Sequence, residues 1–227
     1  MKITWLGQAG LLIETDGKKI IVDPYLSDNV KNYNPKNYRR LPVDESFLKI
    51  KPDIIAITHN HLDHLDTETL KYYLTPDYDG TVLSSTDSRN ELMKNFPCDA
   101  NYILFREGTT VCLGNTVFRA VKAEHSEPHA IGIIITAENK NYYITGDTLY
   151  NEDVFASLPD EKMFALFLPI NGVGNNMNIR EAQMFASRIN AENTVPMHFG
   201  LFDSLNPGQF ECPGRVIPEI YKEIVLK

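Results

Sequence analysis

Apolar residues come mostly in short runs with β-branched members, punctuated by glycine, asparagine and aspartate. Such runs predict strands at 3–6, 11–15 and 19–23, with Asp16-Gly17 turning the chain between the last two. Between residues 25 and 52 the pattern dissolves into polar sequence (Asn29, Asn32, Asn34, Pro35, Asn37, Pro42), with one short helix expected near 44–50. A loop of that length inside a compact domain is either disordered or functional, often as a lid. Apolar sequence resumes at Asp53-Ile54-Ile55-Ala56-Ile57, a buried strand, and Asp66 then caps a helix running through Thr69, Leu70 and Tyr73.

Further on, strands are predicted at 81–84, 102–105, 110–113, 117–123, 130–137, 142–145, 164–169 and 194–197, with a hairpin turn at Glu138-Asn139-Lys140-Asn141. Helices are predicted at 88–95 and from Asn178 to residue 189, where Asn178 and Glu181 have the spacing of a capping box. Ala182, Phe185, Ala186 and Ile189 fall on one face of the second helix. Strands first, interspersed helices, then strands again: the natural architecture is two sheets covered by helices.

At 227 residues and 43% hydrophobic content the chain suits one large domain, 1–227, with a proper core. A net charge of −8 disfavours a nonspecific grip on nucleic acid, which needs clustered lysine and arginine; Arg39-Arg40 is too short a basic run to count. Cys98, Cys112 and Cys212 are odd in number and lack ligand spacing, so neither a disulfide framework nor a cysteine zinc site is indicated. No signal peptide is read before Met1-Lys2-Ile3, and no apolar run approaches membrane-spanning length, so a cytoplasmic protein without an integral membrane segment is expected. The sequence leaves room for a homo-oligomer.

Chemistry concentrates in Thr58-His59-Asn60-His61-Leu62-Asp63-His64, where four metal-competent side chains occupy positions 59–64 of a chain with six histidines. The stretch turns from a strand's C-terminal end into a helix, where open α/β folds place their sites. His59 and His61 can grip one ion from an extended loop while Asp63 and His64 turn toward a second position. Imidazole and carboxylate together suit zinc, iron or manganese. His125, Asp147 and His198 each follow a predicted strand. Alone each reads as a turn or a satisfied polar group; together they could converge on one sheet edge. In that arrangement His59, His61 and His125 hold one ion, Asp63, His64 and His198 another, and Asp147 bridges. Seven candidates exceed what one tetrahedral ion can use, so two divalent ions are expected, zinc or manganese in preference to iron. Asp23, ending a buried strand, is either a turn former or an acceptor for the spare N–H of a metal-bound imidazole.

This ligand pattern, His59-x-His61-x-Asp63-His64, His125, Asp147 within Thr145-Gly146-Asp147-Thr148, and His198, resembles that of the metallo-β-lactamase superfamily in full and in order. The likeness extends to Thr4-Trp5-Leu6-Gly7-Gln8-Ala9, Val22-Asp23-Pro24, Pro169-Ile170-Asn171-Gly172 and Pro196-Met197-His198-Phe199-Gly200. Those flanks look like the branch of L-ascorbate-6-phosphate lactonase and N-acyl-phosphatidylethanolamine phospholipase D. The resemblance implies an α/β fold, an αββα sandwich of two mixed sheets flanked by helices, with a dinuclear site at one edge. It also implies that Asp23 supports the metal ligands. Class B β-lactamases tend to carry cysteine at the Asp147 position, which argues against antibiotic hydrolysis. Flavodiiron relatives tend to carry an acidic residue where this chain has His61, and the RNA-processing branch needs an extra domain for which the chain is too short.

The expected chemistry is hydrolysis of a small ester, lactone or phosphoester, with a water bridging two cations ionised near neutral pH to serve as nucleophile. Asp63 would orient it and carry a proton. His129 is either a substrate-side acid or a solvated loop histidine. The stretch from Asn171 through Gly172, Gly174 and Asn175 to Asn176 can present backbone N–H groups to a small anionic substrate, or be a flexible loop. Two other readings are a single-iron dioxygenase of the same fold and a catalytically silent binding protein.

Overall fold

The computed structural model describes residues 1–227 and has twelve strands in two six-stranded sheets. In the first sheet β1 (Lys2–Gly7), β2 (Gly10–Thr15) and β3 (Lys18–Val22) form an antiparallel meander. From β3 onward, β4 (Ile54–Ile57), β5 (Thr81–Ser84) and β6 (Asn101–Leu104) add in parallel. Parallel neighbours need crossovers, and these carry α1 (Val30–Tyr33), α2 (Thr67–Leu70) and α3 (Thr86–Asn95). The second sheet repeats the scheme. β7 (Thr110–Leu113), β8 (Thr116–Lys122), β9 (Ile131–Ala137) and β10 (Lys140–Ile144) are antiparallel, whereas β11 (Ala165–Pro169) and β12 (Asn193–Met197) continue in parallel. Their crossovers carry α4 (Glu152–Ala156) and α5 (Ile179–Ile189). Two mixed sheets flanked by helices are what the sequence predicts.

The pleat divides each buried strand between two cores. Ile20, Val22, Ile54, Ala56 and Leu83 join Phe118, Ile133, Ile135 and Phe167 of the second sheet in the shared core. Ile21, Ile55, Ile57 and Val82 project the other way, onto Leu65, Leu70, Tyr73 and Leu92. Burial on both faces explains why these strands read as unbroken apolar runs. α5 buries Ala182, Phe185 and Ala186, starts with the predicted capping box of Asn178 and Glu181, and ends on Asn190 in the left-handed region. Glu138 and Asn139, both at positive φ, make the β9–β10 hairpin a two-residue turn.

Several elements differ from the sequence expectation, among them α1, which lies in the stretch read as irregular. The helix capped by Asp66 makes one α-turn and then tightens, with Tyr72 and Tyr73 donating to carbonyls three residues back. The helix expected near 44–50 is a 3-10 turn, Phe47–Lys49, and Ile50 is already extended two residues before Pro52. α4 was not anticipated: Asn151 caps it and Glu152 and Asp153 favour its first turn, but so short an element shows no apolar period. The 25–52 segment is tied down. Arg39 donates through Nη1 to the Tyr25 carbonyl at 2.8 Å, and Arg40 N–H donates to Leu201 O at 3.0 Å, beside the end of β12.

Direction of travel decides where the chemistry sits. β3, β4 and β5 run in parallel, and β8, β10, β11 and β12 share one direction in the second sheet. Their C-terminal ends deliver Asp23, the 59–64 stretch, His125, Asp147, the 171–176 loop and His198.

Candidate metal centre

Seven side chains predicted as ligands meet at that edge in three overlapping groups: His59, His61 and His125; His59, His64 and Asp147; and Asp63, His64 and His198. Within each group the candidate ligand atoms lie no more than 4.8 Å apart. His61 Nδ1 stands 3.1 Å from His125 Nε2. His64 Nε2 and His198 Nε2 each lie 3.3 Å from an oxygen of Asp147, on opposite oxygens, and His198 Nε2 is 3.2 Å from Asp63 Oδ2. Asp147 shares its own group with His59 of one outer group and His64 of the other, and so sits between the two.

Backbone shape contributes to the aim. Asp23, Gln8 and His198 all adopt positive φ, a conformation that costs a non-glycine residue free energy and recurs at functional sites. Gly146, at φ +62°, is held closely: a Cβ there would stand 2.8 Å from the Ile131 carbonyl and 3.1 Å from Thr58 Cβ. Only glycine lets β10 hand Asp147 to this position.

Hydrogen bonds fix the rings and carboxylates from behind. Asp23, fully buried, accepts from Thr58 N–H at 2.8 Å and Thr58 Oγ1 at 2.6 Å, and its Oδ2 lies 2.8 Å from His64 Nδ1. The resemblance implied this supporting place for Asp23. Gln8 Nε2 donates to Asp63 Oδ2 at 3.1 Å and lies 3.3 Å from His198 Nδ1, while the Gln8 carbonyl accepts from Trp5 Nε1 and His198 N–H. Thr58 Oγ1 is also 3.0 Å from His59 Nδ1. Asn176, buried, donates to Asp147 Oδ2 at 2.7 Å. Sequence reasoning did not single out Gln8 and Thr58, although Gln8 lies inside a stretch that carries the resemblance and Thr58 directly precedes His59.

The 171–176 loop corrects part of what was expected of it. Gly172 N–H donates to the Met177 carbonyl at 3.1 Å, so it is not free for a ligand. Asn176 serves Asp147, and the Asn175 carbonyl lies 3.2 Å from His125 Nδ1. Gly174 stays at the surface, while Asn171 is half-buried and its Nδ2 donates within the loop to Val173 O. His129 is not brought to the seven: its Nδ1 is 2.7 Å from Asp87 Oδ2. A cleft of about 800 Å³ lies at the opposite edge of the first sheet, beside Lys18, Asp53 and Thr81 where β3, β4 and β5 begin.

The donor set fits metal. His59 Nε2, His64 Nε2, His198 Nε2 and Asp147 Oδ1 are buried without a hydrogen-bond partner. Each such atom costs roughly 1–3 kcal/mol unless something takes its lone pair, and imidazole nitrogens with a carboxylate oxygen are donors for a borderline divalent cation. Protonation sorts the site into halves. Burial, reinforced by neighbouring imidazoles, holds His59, His61 and His125 below the ordinary histidine range, so their lone pairs stand ready. Burial opposes charge on His64 and His198 too. There the carboxylates prevail: Asp147 and Asp23 raise His64, and Asp147 and Asp63 push His198 up to about 10. Burial likewise works against ionised Asp147 and Asp63, but the imidazoliums hold both below the usual carboxylate range.

Residues 2–198 match the family described as Beta-lactamase superfamily domain. A UPF0173 metal-dependent hydrolase of Ligilactobacillus salivarius is 31% identical over 210 residues, covering 89% of this chain and 86% of the relative. Another from Sulfolobus acidocaldarius is 27% identical over 233 residues, covering 100% and 96%. Among solved structures, Igni18, a metallo hydrolase from Ignicoccus hospitalis, matches 98% of this chain and 97% of its own with a TM-score of 0.77. Its 21% identity makes that a likeness of fold. The chain belongs to the β-lactamase superfamily, among its UPF0173 metal-dependent hydrolases.

Proposed function

We propose that this protein hydrolyses a small ester, lactone or phosphoester with two divalent cations, zinc or manganese, held by the seven clustered residues. The overlap of the three groups carries the reading: His59 and His64 each belong to two of them, with Asp147 at the join. A single ion needs one such group and leaves the rest unexplained. When bound, the cations supply Lewis acidity and ionise water near neutral pH.

The chain's own groups do the rest. Asp63, kept ionised and tethered at Oδ2 by Gln8, has its other oxygen to take a proton from the nucleophile and return it to the leaving group. Asn176 fixes the Asp147 carboxylate, which has one oxygen toward His64 and the other toward His198 and also groups with His59. Tyr25, fully buried, and Phe202 meet edge to face at 5.5 Å, and Arg40 Nε donates to Phe202 O at 3.2 Å, so the 25–52 segment is held against the chain that follows His198. An anionic group on the substrate is met by the N–H groups of Val173, Gly174 and Asn175, which have no backbone partner. The likeness to the lactonase and phospholipase D branch supports a phosphorylated or phosphodiester substrate. We take residues 1–227 as one domain working in the cytoplasm.

The test is elemental analysis of protein purified without chelators, followed by a screen of lactones, phosphodiesters and thioesters with zinc- or manganese-loaded protein. Two equivalents of metal per chain and a chelator-sensitive hydrolysis are expected. One equivalent or none at saturation, with the fold intact, overturns the dinuclear reading; an activity that follows the redox state of a single bound iron replaces it with the dioxygenase.

A further inference from the structure

One more set of metal-competent side chains converges outside the seven. Asp87 stands in the first turn of α3, just after β5, while Glu127 and His129 lie in the loop from β8 to β9. Their candidate ligand atoms lie within 4.8 Å of one another. His129 Nδ1 is 2.7 Å from Asp87 Oδ2 and 3.6 Å from Glu127 Oε1, and Glu127 Oε1 also accepts from His129 N–H at 3.0 Å. Asp87 and His129 are open to solvent, with 43% and 52% of their side chains exposed, so a solvated ion can reach them.

Glu127 is the informative member. Its side chain is only 6% exposed, its carboxylate faces the other two residues, and its Oε2 is buried without any hydrogen-bond partner. Neither Glu127 nor Asp87 pairs with a lysine or arginine; the one basic group at hand is His129. A buried carboxylate oxygen without a donor is costly, and an ion pair between His129 and Asp87 at the rim does nothing for it.

We propose that Asp87, Glu127 and His129 form a further divalent-cation site, separate from the paired centre. One imidazole nitrogen and two carboxylates are the donor set of zinc or manganese, and the solvent side leaves room for water to complete the coordination. The site binds more weakly than the buried centre, because two of its three ligands must be taken from water. Its place gives it a task. The cation ties α3, which hangs from the first sheet, to the loop that also carries His125, and so braces one ligand of the main centre.

Equilibrium dialysis of the full-length, metal-free protein against graded zinc tests this, using Asp87→Asn/His129→Gln and the single variant His129→Gln. These side chains are half in solvent, and matching circular dichroism without metal confirms that the variants fold. Wild type is expected to bind one zinc equivalent more than the double variant at saturation, and His129→Gln to bind that equivalent at least tenfold more weakly. Added zinc should slow hydrogen exchange in the 123–130 loop of wild type beyond any slowing in the double variant. Equal zinc content and equal protection in wild type and double variant overturn the proposal and leave a proton-sharing surface cluster. The tighter equivalents, counted in the same titration, report on the paired centre independently.

Discussion

Asp147 and Asp23 separate two ways in which a carboxylate serves the centre. Asp147 presents an oxygen to each of His64 and His198 at 3.3 Å and also groups with His59, so the two halves meet at it. Asp147→Ala is expected to abolish hydrolysis and lower metal content; near-native turnover and metal content would refute the bridging assignment. Asp23 instead lies 2.8 Å from His64 Nδ1, behind the ring. Asp23→Asn should leave the fold intact and weaken metal affinity about 10- to 100-fold, the usual cost of losing a partner that orients a ligand. Zinc competition against a chromophoric chelator reads that loss, and an unchanged affinity would remove Asp23 from the centre. The convergence of the seven candidates was legible in the sequence because metal-competent donors come from few residue types and these follow strands that end at one edge. Gln8, Thr58 and Asn176 were not. Each acts through one hydrogen bond to a residue distant in sequence, and no spacing announces such a bond.

At the scale of elements, the strands were readable because burial on one or both faces writes itself into apolar runs, and α5 because eleven residues suffice for a helical period. α2 and α4, at four and five residues, are set by the side-chain caps Asp66 and Asn151, of which only the first was read, while α1, without a side-chain cap or a buried residue, has its Val30 N–H on Tyr25 Oη. The start of α5 also borders the 171–176 loop: Asn178 accepts from Glu181 N–H at 3.1 Å, while Asn171 and Asn178 form an isolated bridge. Asn178→Ala should cost about 1 kcal/mol of stability, as N-cap losses generally do. Chemical denaturation measures it, and a change below a few tenths would mean the cap is idle. Within the loop, Gly174 has φ +67° and open space around it, whereas a Cβ at Gly172 would stand 2.9 Å from Asn178 Cβ. Gly174→Val therefore strains the loop locally without a clash. It should raise KM for an anionic substrate more than for a neutral ester of similar size. Equal effects on both would show that the loop shapes the site without reading charge.

For the molecule as a whole, residues 199–227 were the least legible, since their task is to cover edges. Ile224 N–H and Tyr221 N–H donate to Ile3 O and Trp5 O along β1, while Val216 N–H donates to Thr194 O and Thr194 N–H to Gly214 O along β12, so the β1 and β12 edges are not left bare. The closed molecule holds its acidic centre in one of two ways, with cations or with protons, and pH tells them apart. In the metal-free protein His198 titrates near 10, well above its ordinary 6.5, because Asp147 and Asp63 outweigh burial. A group whose folded pKa is raised lends stability that is whole below its unfolded pKa and is lost as pH climbs through the folded one. His64, also raised, adds in the same direction. Asp147 and Asp63 are depressed, so their share is present above the ordinary carboxylate pKa of 3.8 and fades as pH falls into acid. Metal-free protein should thus be most stable between about pH 4 and 6.5 and lose Tm steadily from neutrality toward pH 10. Cations replace the protons on His64 and His198, so loading at pH 7 should release protons into a weakly buffered solution and flatten Tm between pH 7 and 9. Thermal unfolding in matched buffers, with chelator or with zinc, makes the comparison. A metal-free Tm that held or rose from pH 7 to 10 would show that the buried carboxylates are neutralised in some other way than by these two imidazoles.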